Sequence, residues 1–273
     1  MKSISPLLTL ILVSACTGGG DPEASSDVWR VNTTSGSVTA EGAENAVFWR
    51  DIPYAQPPVG ELRWRAPKAA QSPLAEIGAR DNVACLQVAW DGGGVPGEGV
   101  VGAEDCLYLD ITAPIRATAV EPLPVMFWIH GGGNTSGFKG YYDFSTLVES
   151  QQVIVVAINY RLGPFGWFSH PVVQKQAEGL DRSSNFGTLD IIQALSWVQQ
   201  NISQFGGDAK NVTIFGESAG GHNVLALLAS PLSDGLFHKA ISQSGYLKTN
   251  TVEQAINADN NYPRIRRSSS QLF

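Results

Sequence analysis

The residues best suited to chemistry are Gly216-Glu217-Ser218-Ala219-Gly220, a G-x-S-x-G run. A serine hydroxyl is a weak nucleophile at neutral pH. Acyl transfer by it requires exposure on a sharp turn, a base for its proton, and donors where negative charge develops. The flanks supply the turn. Asn211-Val212-Thr213-Ile214-Phe215 reads as a strand entering the run, and Gly221-His222-Asn223-Val224-Leu225-Ala226-Leu227-Leu228 as an apolar helix leaving it. A strand–serine–helix turn holds the serine in strained dihedrals and packs its neighbours two residues away against each other. Gly216 and Gly220 suit it because a β-carbon there would collide. Strain of about 1–3 kcal/mol persists only where surrounding packing enforces it. The helix N-terminus adds free amides and a positive dipole end, and the Ala219 N–H can point at an oxyanion.

Further donors are predicted in His130-Gly131-Gly132-Gly133, at the carboxyl end of the apolar run 125–129, where sites form in open α/β sheets. Taken alone, this glycine run is a flexible turn. Taken with the serine, it supplies the amides of Gly132 and Gly133 beside that of Ala219. Losing one such donor typically lowers turnover about 10²–10³-fold. The base is harder to find. Of the four histidines, His130 belongs to the glycine loop, and His170 and His238 read as surface groups. His222, four residues after Ser218, should share the packing face of its helix rather than reach the hydroxyl.

These groups need a scaffold. Residues 125–129, 153–158 and 212–215 are continuous apolar runs, the pattern of strands buried on both faces. Between them Leu189, Ile192, Ala194, Leu195 and Val198 share a helical face that ends before Phe205-Gly206-Gly207. Alternating buried strands and amphipathic helices predict an α/β fold, a mostly parallel central sheet with flanking helices. Short apolar runs between Val28 and Tyr54 predict a small N-terminal antiparallel sheet. Residues 28–246 read as one domain and 247–273 as an irregular tail. Gly97-x-Gly99-x-x-Gly102 neither follows a strand nor opens a helix, so it is not read as a nucleotide loop.

The chain has 273 residues with 18 basic and 25 acidic side chains, a net charge of −7, and 43 % hydrophobic residues, a globular balance without the basic stripe nucleic acid requires. Lys2 and the apolar segment 7–13 predict a signal peptide over 1–15. Val13-Ser14-Ala15-Cys16 resembles a bacterial lipobox, which makes Cys16 the lipidated first residue and the exported protein membrane-anchored. Ordinary cleavage after Ala15 is the alternative. Residues 16–27 read as a flexible tether. The two remaining cysteines, Cys85 and Cys106, suggest a disulfide in an exported protein. Two cysteines without an H-E-x-x-H do not make a metal site, and no cofactor is called for.

Several segments in order resemble the type-B carboxylesterase/cholinesterase-like family of α/β-hydrolases: Ile52-Pro53-Tyr54-Ala55, Pro57-Pro58-Val59-Gly60, Glu104-Asp105-Cys106-Leu107-Tyr108-Leu109, the 128–133 and 216–221 motifs, residues 159–166, Asn185-Phe186-Gly187, Phe205-Gly206-Gly207-Asp208 and Gln243-Ser244-Gly245. The resemblance implies an ester substrate and an acyl-enzyme on Ser218. It also implies the Cys85–Cys106 disulfide, ion pairs Arg63–Glu104 and Arg161–Asp190, and Ser244 near the catalytic acid. In that family acid and histidine follow the position of Gly245. No matching segment is found here, so the chain reads as the amino-terminal portion of an esterase with a bare sheet edge. The alternatives are a catalytically silent remnant or a lipid-anchored binding module.

Overall fold

In the computed structural model, which describes residues 29–42, 45–78, 80, 84–115, 121–246 and 249–256, the apolar runs become strands. The strands are β1 (Arg30–Thr33), β2 (Gly36–Thr39), β3 (Glu41–Gly42), β4 (Ala46–Pro53), β5 (Glu76–Ile77), β6 (Gln87–Val88), β7 (Val100–Val101), β8 (Tyr108–Pro114), β9 (Leu123–Ile129), β10 (Ile154–Ile158), β11 (Gly207–Glu217) and β12 (Lys239–Gln243). The helices are α1 (Ser145–Gln151), α2 (Gly163–Gly166), α3 (Pro171–Gln176), α4 (Phe186–Asn201), α5 (Ala219–Ala229) and α6 (Val252–Ile256). The signal and lipid-site residues lie outside the described residues, as does most of the tail.

Seven strands form the main sheet in the order β12-β11-β9-β10-β8-β4-β3. β12, β11, β9 and β10 are parallel. β8, β4 and β3 follow with antiparallel pairing. Alternation along β9 divides the core: Val125, Phe127 and Ile129 pack with Ile191, Ala194, Leu195 and Val198 of α4 and Val224 and Leu227 of α5. Trp128 packs with Val155, Phe215 and Val148 of α1 on the other face. Every residue of β8 and β10 is buried.

Four local readings change. Residues 46–53 join the main sheet, because Val47, Trp49 and Ile52 enter its core through a bulge at Asp51. The small sheet is β1-β2-β5, antiparallel for β1–β2 and parallel for β2–β5. On α4, Ile191 is fully buried and Ile192 only half-buried. Asp190 is buried too, because Arg161 meets it with two side-chain hydrogen bonds of 2.8 and 2.7 Å and a backbone one of 3.0 Å. Within the stretch read as irregular, α6 forms behind a Thr251-x-x-Gln254 capping box. The Gln254 N–H donates to Thr251 Oγ1, and the Thr251 N–H to Gln254 Oε1.

Among the described residues, β12 is the edge of the sheet on the side of the serine turn. β12 is exposed at all five residues, beside exposed Leu228 and Leu232.

Candidate active site

Ser218 sits between β11 and α5 with φ 55° and ψ −118°. The forced turn has a visible cause. A β-carbon on Gly216 would lie 2.6 Å from the Gly220 carbonyl carbon and 2.7 Å from Ile129 O, and one on Gly220 would strike Ile129 O. No side chain larger than hydrogen fits either position, as the collision reading of these glycines anticipated. β12 holds the turn from the other side, where the Ser218 N–H donates to Gln243 O at 2.8 Å.

The glycine loop lies against this turn: a β-carbon on Gly131 would be 3.4 Å from Ser218 Cβ. Gly132 and Gly133 have φ of 92° and 66°, left-handed values that glycine adopts without strain. Each carbonyl behind them is fastened. The Tyr160 hydroxyl donates to His130 O at 2.7 Å. His130 Nδ1 lies 2.9 Å from Gly131 O, and since a carbonyl only accepts, that nitrogen carries the hydrogen. Gly132 O accepts from the Thr135 and Ser136 amides at 3.1 and 3.0 Å and from both their hydroxyls. In a planar trans peptide the next N–H points away from the carbonyl. Each of the Gly131, Gly132 and Gly133 amides therefore points away from the fastened carbonyl of its own peptide unit. Among the described residues, no protein group accepts from the amides of Gly132, Gly133 or Ala219.

Burial pushes the His130 imidazole down to about 4, against the opposing pull of its bond to Gly131 O. It is thus neutral at physiological pH, with Nε2 buried and, among the described residues, without a hydrogen-bond partner. Its ring stacks on Tyr160 at 4.3 Å.

The loop is also tethered beyond the glycines. Gln87 donates to Gly137 O and accepts from the Gly137 N–H, both at 2.9 Å. Gln87 stands two residues from Cys85, whose disulfide to Cys106 is formed. The Lys139 N–H donates to Asn159 Oδ1 at 2.8 Å, and its buried ammonium contacts Asp51 and Asp110, each at 2.7 Å. None of Gln87, Lys139, Asp51, Asp110 or Tyr160 was singled out as a candidate in the sequence. Lys139 and Asp51 are 88 positions apart, and no local pattern links the set.

No base is adjacent among the described residues: neither an imidazole nor a carboxylate hydrogen-bonds to Ser218 Oγ. His222 instead meets the ring of Tyr246 edge-on at 5.4 Å. His238 is exposed, as read. His170 is buried rather than superficial, because its Nδ1 caps α3 by accepting from the Val172 N–H. Ser244 follows β12 in a left-handed conformation and is exposed. Arg63 and Glu104 pair through two bonds of 2.6 Å. Trp167 and Phe168 belong to the packed interior, whereas Trp90 is half-exposed. Among the described residues no group of His, Cys, Asp and Glu is arranged to hold a metal.

A family model described as the carboxylesterase family matches residues 30–267. The chain is 43 % identical over 233 residues to a para-nitrobenzyl esterase of Bacillus subtilis, covering 82 % of this chain and 45 % of that one. It is 44 % identical over 222 residues to a fumonisin B1 esterase of Sphingopyxis macrogoltabida, covering 78 % and 39 %. Among solved structures, a PNB esterase superposes with a TM-score of 0.72 at 42 % identity, over 82 % of this chain and 45 % of that one. The α/β-hydrolase fold of those esterases is thus this chain's fold. The chain spans less than half the length of the relatives it matches.

Proposed function

The chain belongs to the carboxylesterase family, and from that premise we propose that it carries the nucleophile half of a carboxylic ester hydrolase. Ser218 Oγ attacks an ester carbonyl. The amides of Gly132, Gly133 and Ala219 receive the oxyanion of the tetrahedral adduct, the alcohol leaves, and water releases the acid from the acyl-enzyme. The observation that carries this reading is the forced dihedral pair at Ser218, φ 55° and ψ −118°, with a rear-fastened glycine loop against it. A backbone held in a costly conformation beside unused amides serves no evident packing purpose.

The reading assigns neither the acid nor the base. Without a base, an oxyanion site and binding alone sustain roughly 10³–10⁴-fold acceleration over water. A short-chain chromogenic ester, assayed with the wild type and Ser218→Ala, tests the proposal. Ser218-dependent hydrolysis supports it. Equal rates favour the silent-remnant reading, for which the lack of an imidazole at Ser218 Oγ among the described residues speaks. The same proposal includes export on a lipid anchor at Cys16, supported by the apolar segment 7–13 and the Val13-Ser14-Ala15-Cys16 motif. Metabolic labelling with an alkyne fatty acid, lost in Cys16→Ala, is the expected result.

A further inference from the structure

We propose that Asn223 and Asn134 act together as positioning residues, clamping the glycine loop to the helix that carries Ser218. This inference rests on the reading of Ser218 and the glycine amides as one site. Asn134 directly follows the three glycines, and Asn223 lies on α5 five residues after Ser218. The two are 89 positions apart, yet Asn223 Nδ2 donates to Asn134 Oδ1 at 2.9 Å. The return contact, Asn134 Nδ2 to Asn223 Oδ1, is longer at 3.5 Å. Asn223 is 1 % exposed, on a helix whose other buried side chains are Val224 and Leu227. A primary amide in that setting requires partners, because an unsatisfied buried amide is destabilising.

The surrounding bonds show what the clamp restrains. Tyr160 Oη, which fastens His130 O, also stands 3.3 Å from Asn134 Oδ1. One phenol hydrogen cannot serve both strongly, and the 2.7 Å bond to His130 O takes it. The donor for Asn134 Oδ1 is therefore Asn223. Asn134 itself holds φ 58°, and its carbonyl accepts from the Gly163 N–H at 2.7 Å. One end of the glycine run is thus fastened through His130 O, and the other through Asn134 to α5. Ser218 and the opposing amides then share one rigid reference, the first turns of α5. Catalytic donors must hold their places closely, since a displacement of about 1 Å can lower rates about 100-fold.

The test uses Asn134→Gly, Asn223→Ala and the double variant in the full chain. Glycine is at ease at φ 58° and alanine within a helix, so neither substitution strains the backbone. Hydrogen exchange over residues 130–137 should quicken about tenfold in each single variant and no further in the double, with α4 unchanged. Additive effects, or unchanged exchange in either single variant, overturn the clamp. A fluorophosphonate probe gives the second arm, with Ser218→Ala as control: labelling of Ser218 should slow about tenfold in either single variant. If the wild type is not labelled, the nucleophile reading fails, while exchange still decides the clamp. Should Asn223→Ala not fold, Asn134→Gly alone carries the exchange test, and unchanged exchange in it overturns the proposal.

Discussion

The serine turn and the glycine loop lie against one another but are held in different ways. The turn is enforced by backbone packed on backbone: Gly216 against Gly220, Gly220 against Ile129 O, and the Ser218 N–H on Gln243 O. The loop is held by side-chain tethers at four places, namely from Tyr160 after β10, from Gln87 beside the disulfide, from Asn223 on α5, and from the loop's own Lys139 to Asp51 and Asp110. A steric turn tolerates almost no change and needs few residues. A loop held by polar tethers distributes its restraint, and each tether can be cut separately.

Four experiments sharpen that contrast. Lys139→Met should be the most damaging, at about 3–5 kcal/mol in chemical denaturation, because it leaves the two carboxylates of Asp51 and Asp110 facing each other unpaired in the interior. Adding Asp51→Asn and Asp110→Asn should restore much of the loss. If the single substitution proves neutral, the loop does not depend on that tether. Gly220→Ala should lower stability by about 1–3 kcal/mol or more through overpacking against Ile129 O. Unchanged denaturation midpoints would contradict a steric origin for the turn.

Ser218→Gly should act in the opposite direction, stabilising the fold by about 1–3 kcal/mol as strain at φ 55° is relieved. No gain would mean that no strain is stored there. The smallest effect per unit concerns His130. The unfolded imidazole titrates near 6.5 and the folded one at about 4. Between these values the unfolded chain binds a proton that the folded chain does not, so His130's contribution is complete above pH 6.5 and lost as pH falls toward 4. The limiting slope is about 1.4 kcal/mol per pH unit. His130→Phe, which keeps the ring stacked on Tyr160, should flatten that slope. Equal slopes in the two proteins would refute the burial effect.

Much of this architecture was legible because its determinants are local. A strand, a G-x-S-x-G run and an apolar helix in succession predict the turn without knowledge of anything distant, and Ser218 has the positive φ that such a turn requires. Continuous apolar runs predict β9, β10 and β11 for the same reason. Local patterns mislead where burial depends on partners elsewhere in the chain. Residues 46–53 show short apolar runs typical of a small sheet, but a bulge at Asp51 carries them into the large one. His170 looks solvent-facing until its capping role at α3 is known. The Arg161–Asp190 pair that the resemblance implied is present, and its depth, with Asp190 fully buried, is set by the tertiary structure.

The sequence by itself determined the forced turn at Ser218 and the glycine run that lies against it, because both are specified by neighbours within a few positions. Only the tertiary structure decided how the glycine amides are aimed and which side chains hold them. Hydrogen bonds between residues 29 to 89 positions apart leave no periodicity to read and exist only once the sheet has brought their elements together.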